Sequence, residues 1–199
     1  MNAKDTALIL IGFQNDYFGC EGVLKSVIEN GDSANLVLRN TISLIDSIKH
    51  TDVSIISTPI IFSSDYSEIL QSDGILTAIK ESGAFKEGTP GAETVDGIKS
   101  FGDRLIEIPG KRGFNAFVQT DLDGVLAEQG VKNVIFAGAV TSICIDSTAR
   151  AAYEFGYRVF ILEDCTAART DSEQEFFCGV VFPTYATLTN AETIANSLN

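Results

Sequence analysis

Apolar residues along this chain fall into short, nearly unbroken runs separated by segments with helical spacing. Six runs rich in Val, Ile, Leu and Phe read as strands: Thr6–Ile11, Val53–Thr58, Arg104–Ile108, Asn133–Ala137, Arg158–Leu162 and a weaker one at Tyr185–Leu188. Most lack polar alternation, so both faces of each strand are expected to be buried, as in a parallel sheet. Between the first two, Leu38, Ile42 and Ile45 recur at spacings of four and three behind Asp32 and Ser33, the candidate N-caps. Leu122, Val125 and Leu126 follow Thr120, and Gly130 is placed to close that helix. A third helix is expected from Ile143 to Phe155, stopping at Gly156, and a last one at Ala191–Ser197. The stretch from Ser63 to Gly102 is less regular, with a short helix at Leu76–Glu81 and loops around Gly88, Pro90 and Gly91. Strands alternating with helices predict a three-layer α/β fold, in which a doubly wound, mostly parallel six-stranded sheet carries helices on both faces. With 199 residues and no repeat or linker, the chain is expected to form one domain over residues 1–199.

Charge narrows the partners. There are 27 acidic against 14 basic residues, a formal charge of -13, so a phosphate backbone or an anionic membrane surface is a poor match. No apolar run reaches the ~18 residues of a membrane span. Met1–Thr6 lacks a basic stretch followed by an apolar one, so no secretory signal is read there. The four cysteines (Cys20, Cys144, Cys165 and Cys178) are scattered without a CxxC pair, which reads most simply as free thiols in a reducing cytoplasm. His50 is the one histidine, at the end of a helical pattern, where a solvated residue is the ordinary reading. A two-histidine zinc site is therefore impossible within one chain; no metal and no cofactor is expected. A nucleophile here has to rely on a lysine or a carboxylate rather than imidazole.

In open α/β sheets ligands bind beyond the carboxyl ends of the strands. Three such ends carry polar chemistry: Gly12-Phe13-Gln14-Asn15-Asp16-Tyr17-Phe18, Pro109-Gly110-Lys111-Arg112-Gly113-Phe114, and Gly138-Ala139-Val140-Thr141-Ser142-Ile143-Cys144. Cys144 falls in the first turn of its helix, where unpaired amides and the helix dipole favour an anion, though a buried inert thiol is an equal alternative. Lys111, with Arg112 as its competitor, is placed to steady a thiolate, but a loop lysine is commonly a surface residue. Phe13, Tyr17, Phe18, Phe62, Phe114 and Phe117 are candidates for an apolar pocket or for plain core. Gln14 can bond a substrate amide or tie its loop to neighbouring backbone.

Together the three segments resemble the isochorismatase-like cysteine hydrolases, the family of nicotinamidase and N-carbamoylsarcosine amidase. Their opening strand running into D-x-Q-x-D-F is matched within Ile11 to Phe18, the lysine before an S-A-F-like run matches Lys111 before Asn115-Ala116-Phe117, and G-x-x-T/S-x-x-C-V-x-x-T-A matches Gly138 to Ala149. The resemblance implies Cys144 as nucleophile, Lys111 as catalytic lysine, an oxyanion hole from the amides of Thr141 and Cys144, and a cis Val140–Thr141 peptide. It implies a small-molecule substrate with an amide or carbamoyl C–N bond, met by Gln14, Asp16, Phe18 and Val140, and a homo-oligomer. Two positions depart. The family's catalytic aspartate falls on Gly12, and the Asp-x-His metal motif of nicotinamidases is replaced by Thr58-Pro59-Ile60-Ile61-Phe62. Either another carboxylate (Asp16, Asp146 or Glu107) fills the gap, or Lys111 and the helix end suffice, or the chain is a non-hydrolytic binding or regulatory relative.

Overall fold

The computed structural model describes residues 1–71 and 73–199. Its six strands are β1 (Thr6–Ile11), β2 (Ser54–Ser57), β3 (Leu105–Glu107), β4 (Asn133–Ala139), β5 (Arg158–Ala167) and β6 (Thr187–Thr189). All pair in parallel, in the order β3-β2-β1-β4-β5-β6. β1 and β4 lie in the middle and every residue of both is buried, which explains their unbroken apolar sequences.

The helices are α1 (Asn15–Phe18), α2 (Gly31–Ile48), α3 (Ile75–Ser82), α4 (Asp96–Lys99), α5 (Leu122–Glu128), α6 (Asp146–Glu154), α7 (Asp171–Phe176) and α8 (Ala191–Leu198). β1 leads through α2 leftward to β2, whereas β4 leads through α6 rightward to β5. Right-handed crossovers in opposite directions put α2 and α6 on opposite faces, giving the three-layer, doubly wound sheet. α8 packs beside α2 against β5.

Local chemistry accounts for most boundaries. The cap of α2 is Asn30, not Asp32 or Ser33: its side chain accepts from the amides of both those residues. Gly130, at φ +66°, follows the end of α5. β5 runs five residues past the expected Leu162, because a bulge opposite Phe136–Gly138 lets it re-pair as Gly138 with Thr166 and Ala139 with Ala167.

The centre of the sheet sets where the candidate site lies. β1 and β4 end side by side, with Ile11 opposite Gly138. A β-carbon on Gly138 would stand 1.8 Å from the Ile11 carbonyl oxygen. Only glycine permits this approach, and the two chain ends then diverge into separate loops. No helix among the described residues is long and apolar enough to cross a membrane.

Candidate active site

Beyond β4 the chain enters a wide, π-helical turn, Thr141–Ile145, that runs directly into α6. The amides of Ile143 and Ile145 both donate to the Val140 carbonyl, and the Thr141 hydroxyl donates to Gln174 Oε1 on α7 at 2.7 Å. Cys144 therefore sits in a five-residue turn that precedes the regular helix, instead of in a standard α first turn. The structure places the cis peptide at Ala139–Val140, one residue before the expected Val140–Thr141. The correction follows from where β4 stops: Ala139 is still in the ladder, and the turn starts at Thr141.

Lys111 reaches the same point from the other half of the sheet. It follows β3 through Pro109–Gly110 and makes an isolated parallel bridge with Ile60, beyond β2. Ile60 is in turn clamped by Gln14: Gln14 Oε1 accepts from the Ile60 amide at 2.9 Å, and Nε2 donates to the carbonyls of Ile60 and Ala92 at 2.7 Å each. A relay of backbone contacts thus runs from the β1 loop to the β2 loop to the β3 loop. Its end is the Lys111 amine, fully buried, donating to the Gly113 carbonyl and 3.7 Å from Cys144 Sγ.

Among the described residues, no carboxylate lies within 4.0 Å of that amine. Burial pushes the Lys111 ammonium below its ordinary value, and Cys144 pulls it back up. Cys144 is 3% exposed, and its sulfur faces that amine. Thr148 secures the other side of the turn: its hydroxyl donates to the Cys144 carbonyl at 2.7 Å and accepts from the Ala116 amide at 3.0 Å. The Asn115-Ala116-Phe117 run is thereby fixed to α6.

The cavity over the sulfur is narrow, about 10 Å³, room for a single water. Its walls are Tyr17 from α1, Ile60 and Phe62 after β2, Ile75, Leu76 and Ile79 from α3, then Phe114 and Ile143. A wider groove of about 510 Å³, lined by Asp16, Cys20 and Pro90, includes neither Cys144 nor Lys111. The narrow cavity is the one that Cys144 lines, with the Lys111 amine 3.7 Å from its sulfur.

A family model described as the isochorismatase domain matches residues 6–193. The chain belongs to the isochorismatase family. A nicotinamidase of Arabidopsis thaliana is 28% identical over 87% of this chain and 79% of its own length. A ureidoacrylate amidohydrolase of Agrobacterium fabrum is 25% identical over 83% of this chain and 77% of its own. A cysteine hydrolase structure from Pseudomonas syringae superposes with a TM-score of 0.85 at 20% identity, over all of this chain and 94% of that one, which speaks to the fold alone.

Within this isochorismatase-family site, several candidates from the sequence turn elsewhere. Gln14 ties the loops, and all its side-chain atoms are engaged in doing so. Asp16 accepts from the Phe85 amide at 2.6 Å, packs against Gly91 and does not line the Cys144 cavity. Phe18 stacks on Phe13 with ring centres 5.0 Å apart, and Val140 contributes its carbonyl to the turn. Asp146 is held by Arg150 and the Tyr185 hydroxyl, Glu107 by Thr94, and Arg112 by Glu68. Asp16 and these two other carboxylates are thus spoken for. Sequence reasoning passed over Thr148, and it read α3 only as a short helix at Leu76–Glu81 without singling out its side chains. Thr148 belongs to the matched cysteine run, whereas α3 gave no signal beyond a short amphipathic pattern.

The space beside Gly12 is filled. Gly12 has φ +73°, and an ideal β-carbon there would stand 2.6 Å from the Ala139 carbonyl oxygen and 3.5 Å from Cδ2 of Tyr17. An aspartate does not fit this backbone without movement.

Proposed function

We propose that this chain is a hydrolase that opens a C–N bond, of amide or carbamoyl type, in a small molecule through an acyl-thioester on Cys144. The observation that carries the proposal is the Cys144–Lys111 pair: a sulfur 3.7 Å from a fully buried amine with no carboxylate of its own. The named relatives, a nicotinamidase and an amidohydrolase, support the class of bond.

The thiol proton passes to the Lys111 amine, whose proton affinity burial has reduced, giving a thiolate beside an ammonium. The sulfur attacks the carbonyl carbon, and the amides of Thr141 and Cys144 receive the oxyanion. The C–N bond then breaks, the ammonium proton goes to the departing nitrogen, and the acyl group stays on sulfur. Water adds to the thioester, its proton returning to Lys111. Collapse releases the acid and the thiolate. The apolar walls at Ile60, Phe62, Ile75, Leu76 and Ile79 part to admit the acyl group and favour an uncharged one. Assembly as a homo-oligomer belongs to the same proposal: Phe176 at the end of α7 and Val180 just beyond it stand exposed. Light scattering that finds only monomer would refute that part.

The cysteine step is tested by incubating the protein with p-nitrophenyl butyrate and measuring its intact mass. The expected result is one butyryl adduct, mapped to Cys144 and lost in Cys144→Ala. Adduct formation at full rate in Cys144→Ala would refute it. A second reading, a binding protein that does not hydrolyse, is favoured by Gly12. Iodoacetamide separates the two: alkylation of Cys144 at a rate nearly flat between about pH 6 and 8 marks a paired thiolate, whereas a steep rise across that interval marks an idle thiol.

A further inference from the structure

The residue that leans into the space beside Gly12 carries a chemistry of its own. Tyr17 is 2% exposed; its ring packs on Phe85 with centroids 5.1 Å apart, and its Cδ2 would stand 3.5 Å from a β-carbon at position 12. It lines the same cavity as Cys144. Among the described residues its hydroxyl has no hydrogen-bond partner, yet it is not one of the fully occluded, unsatisfied polar atoms. A buried phenol with no protein acceptor, on a residue that lines the Cys144 cavity, is suited to meet something that enters that cavity. Its proton is held firmly: burial, then Cys144, then Asp16, all raise the phenol well above its ordinary value.

The sequence adds an independent observation. Set against D-x-Q-x-D-F, Gly12 stands at the first aspartate and Tyr17 at the phenylalanine. These two departures from the pattern stand five residues apart, and a β-carbon at position 12 would stand 3.5 Å from Cδ2 of Tyr17. We propose that Tyr17 is a catalytic residue that takes over part of the missing aspartate's task, donating a hydrogen bond to the leaving nitrogen as the C–N bond breaks. This rests on the Cys144 acyl-thioester reading above. Tyr17 keeps its proton throughout. The proton that ends on the departing amine is the one Lys111 took from the thiol, and the phenol lowers the basicity that must build up on nitrogen before that transfer.

The test is Tyr17→Phe, which keeps the ring packed on Phe85 and removes one oxygen. Two substrates with the same acyl group are compared: butyramide, read by ammonia release, and p-nitrophenyl butyrate, read by acylation of Cys144. An amide nitrogen needs help to leave and p-nitrophenolate does not. Tyr17→Phe is therefore expected to lower kcat/KM on the amide by ~100-fold, the scale of one donor lost, while ester acylation changes less than about threefold. Unchanged amide hydrolysis overturns the proposal. An equal fall on both substrates also overturns it, because the hydroxyl would then serve binding or folding. Wild-type protein that is acylated yet cleaves no amide overturns it as well. No acylation of wild-type Cys144 at all would instead remove the thioester reading on which it rests, so the two failures are distinguishable.

Discussion

A double-mutant cycle on Lys111 and Cys144 tests the electrostatic argument quantitatively. At 3.7 Å and an effective dielectric of about 20, an ammonium and a thiolate attract by about 4–5 kcal/mol. Withdrawing the ammonium from water costs several kcal/mol, so the pair contributes little net stability. Its members are nevertheless tightly coupled. Cys144→Ala leaves the amine buried with the Gly113 carbonyl alone and is expected to cost about 3 kcal/mol. Lys111→Met keeps most of the volume and removes the buried charge, so it should be neutral or stabilising by up to ~3 kcal/mol while abolishing acylation. In the Lys111→Met background, Cys144→Ala should cost only about 1 kcal/mol, the price of a small void. The coupling is therefore about 2 kcal/mol, well above the ~0.5 kcal/mol expected of independent sites. Urea unfolding of the four proteins reads it directly. Equal costs of Cys144→Ala in both backgrounds would refute the ion pair.

Further outcomes follow from the same geometry. Because burial lowers Lys111, the unfolded chain binds a proton that the folded one lacks between that lowered value and about 10.4, so stability rises with pH through this window. Lys111→Met should flatten the rise, and an unchanged slope in pH-dependent urea melts would contradict it. Gly12→Asp is expected to destabilise by at least ~2 kcal/mol and to restore no activity, since φ is +73° and the Ala139 carbonyl stands in the way; a stable, more active variant would show that the backbone yields. Gln14→Leu strands the Ile60 amide and two carbonyls, so Tm should fall by ~6–10 °C, for a loss of about 3 kcal/mol, with no new substrate preference. Cys165, buried and pushed up to about 12 by burial and Asp164, should stay unmodified by iodoacetamide at neutral pH while exposed Cys20 reacts, as peptide mapping would reveal.

The sheet was legible because β1 and β4 are apolar throughout, and that is how a strand buried on both faces reads. The far half of β5 was not, because Glu163 and Asp164 interrupt the apolar run and only the bulge opposite Gly138 shows that pairing resumes. Cys144 and Lys111 were found through their positions at strand ends and through three ordered motifs. Gln14 was left between two roles because what decides it, the backbone of Ile60 and Ala92, lies 46 and 78 residues away. Tyr17 was one aromatic among six. Its place on the wall of the Cys144 cavity exists only once the segments that follow β1 and β4 are brought together, and no local pattern encodes that.

The division of labour between β1 and β4 on one side and the loops on the other has an evolutionary corollary. On the proposed mechanism the reacting sulfur follows the central seam of the sheet, where two buried strands meet carbonyl to glycine. Much of the wall that decides what may enter comes from α3, between Gly74 and Gly83, and from the segments after β2 and β3. Selection can therefore exchange specificity by rewriting a dozen peripheral positions without disturbing the nucleophile. A lineage built this way can explore new substrates by small steps, each starting from an intact reactive centre.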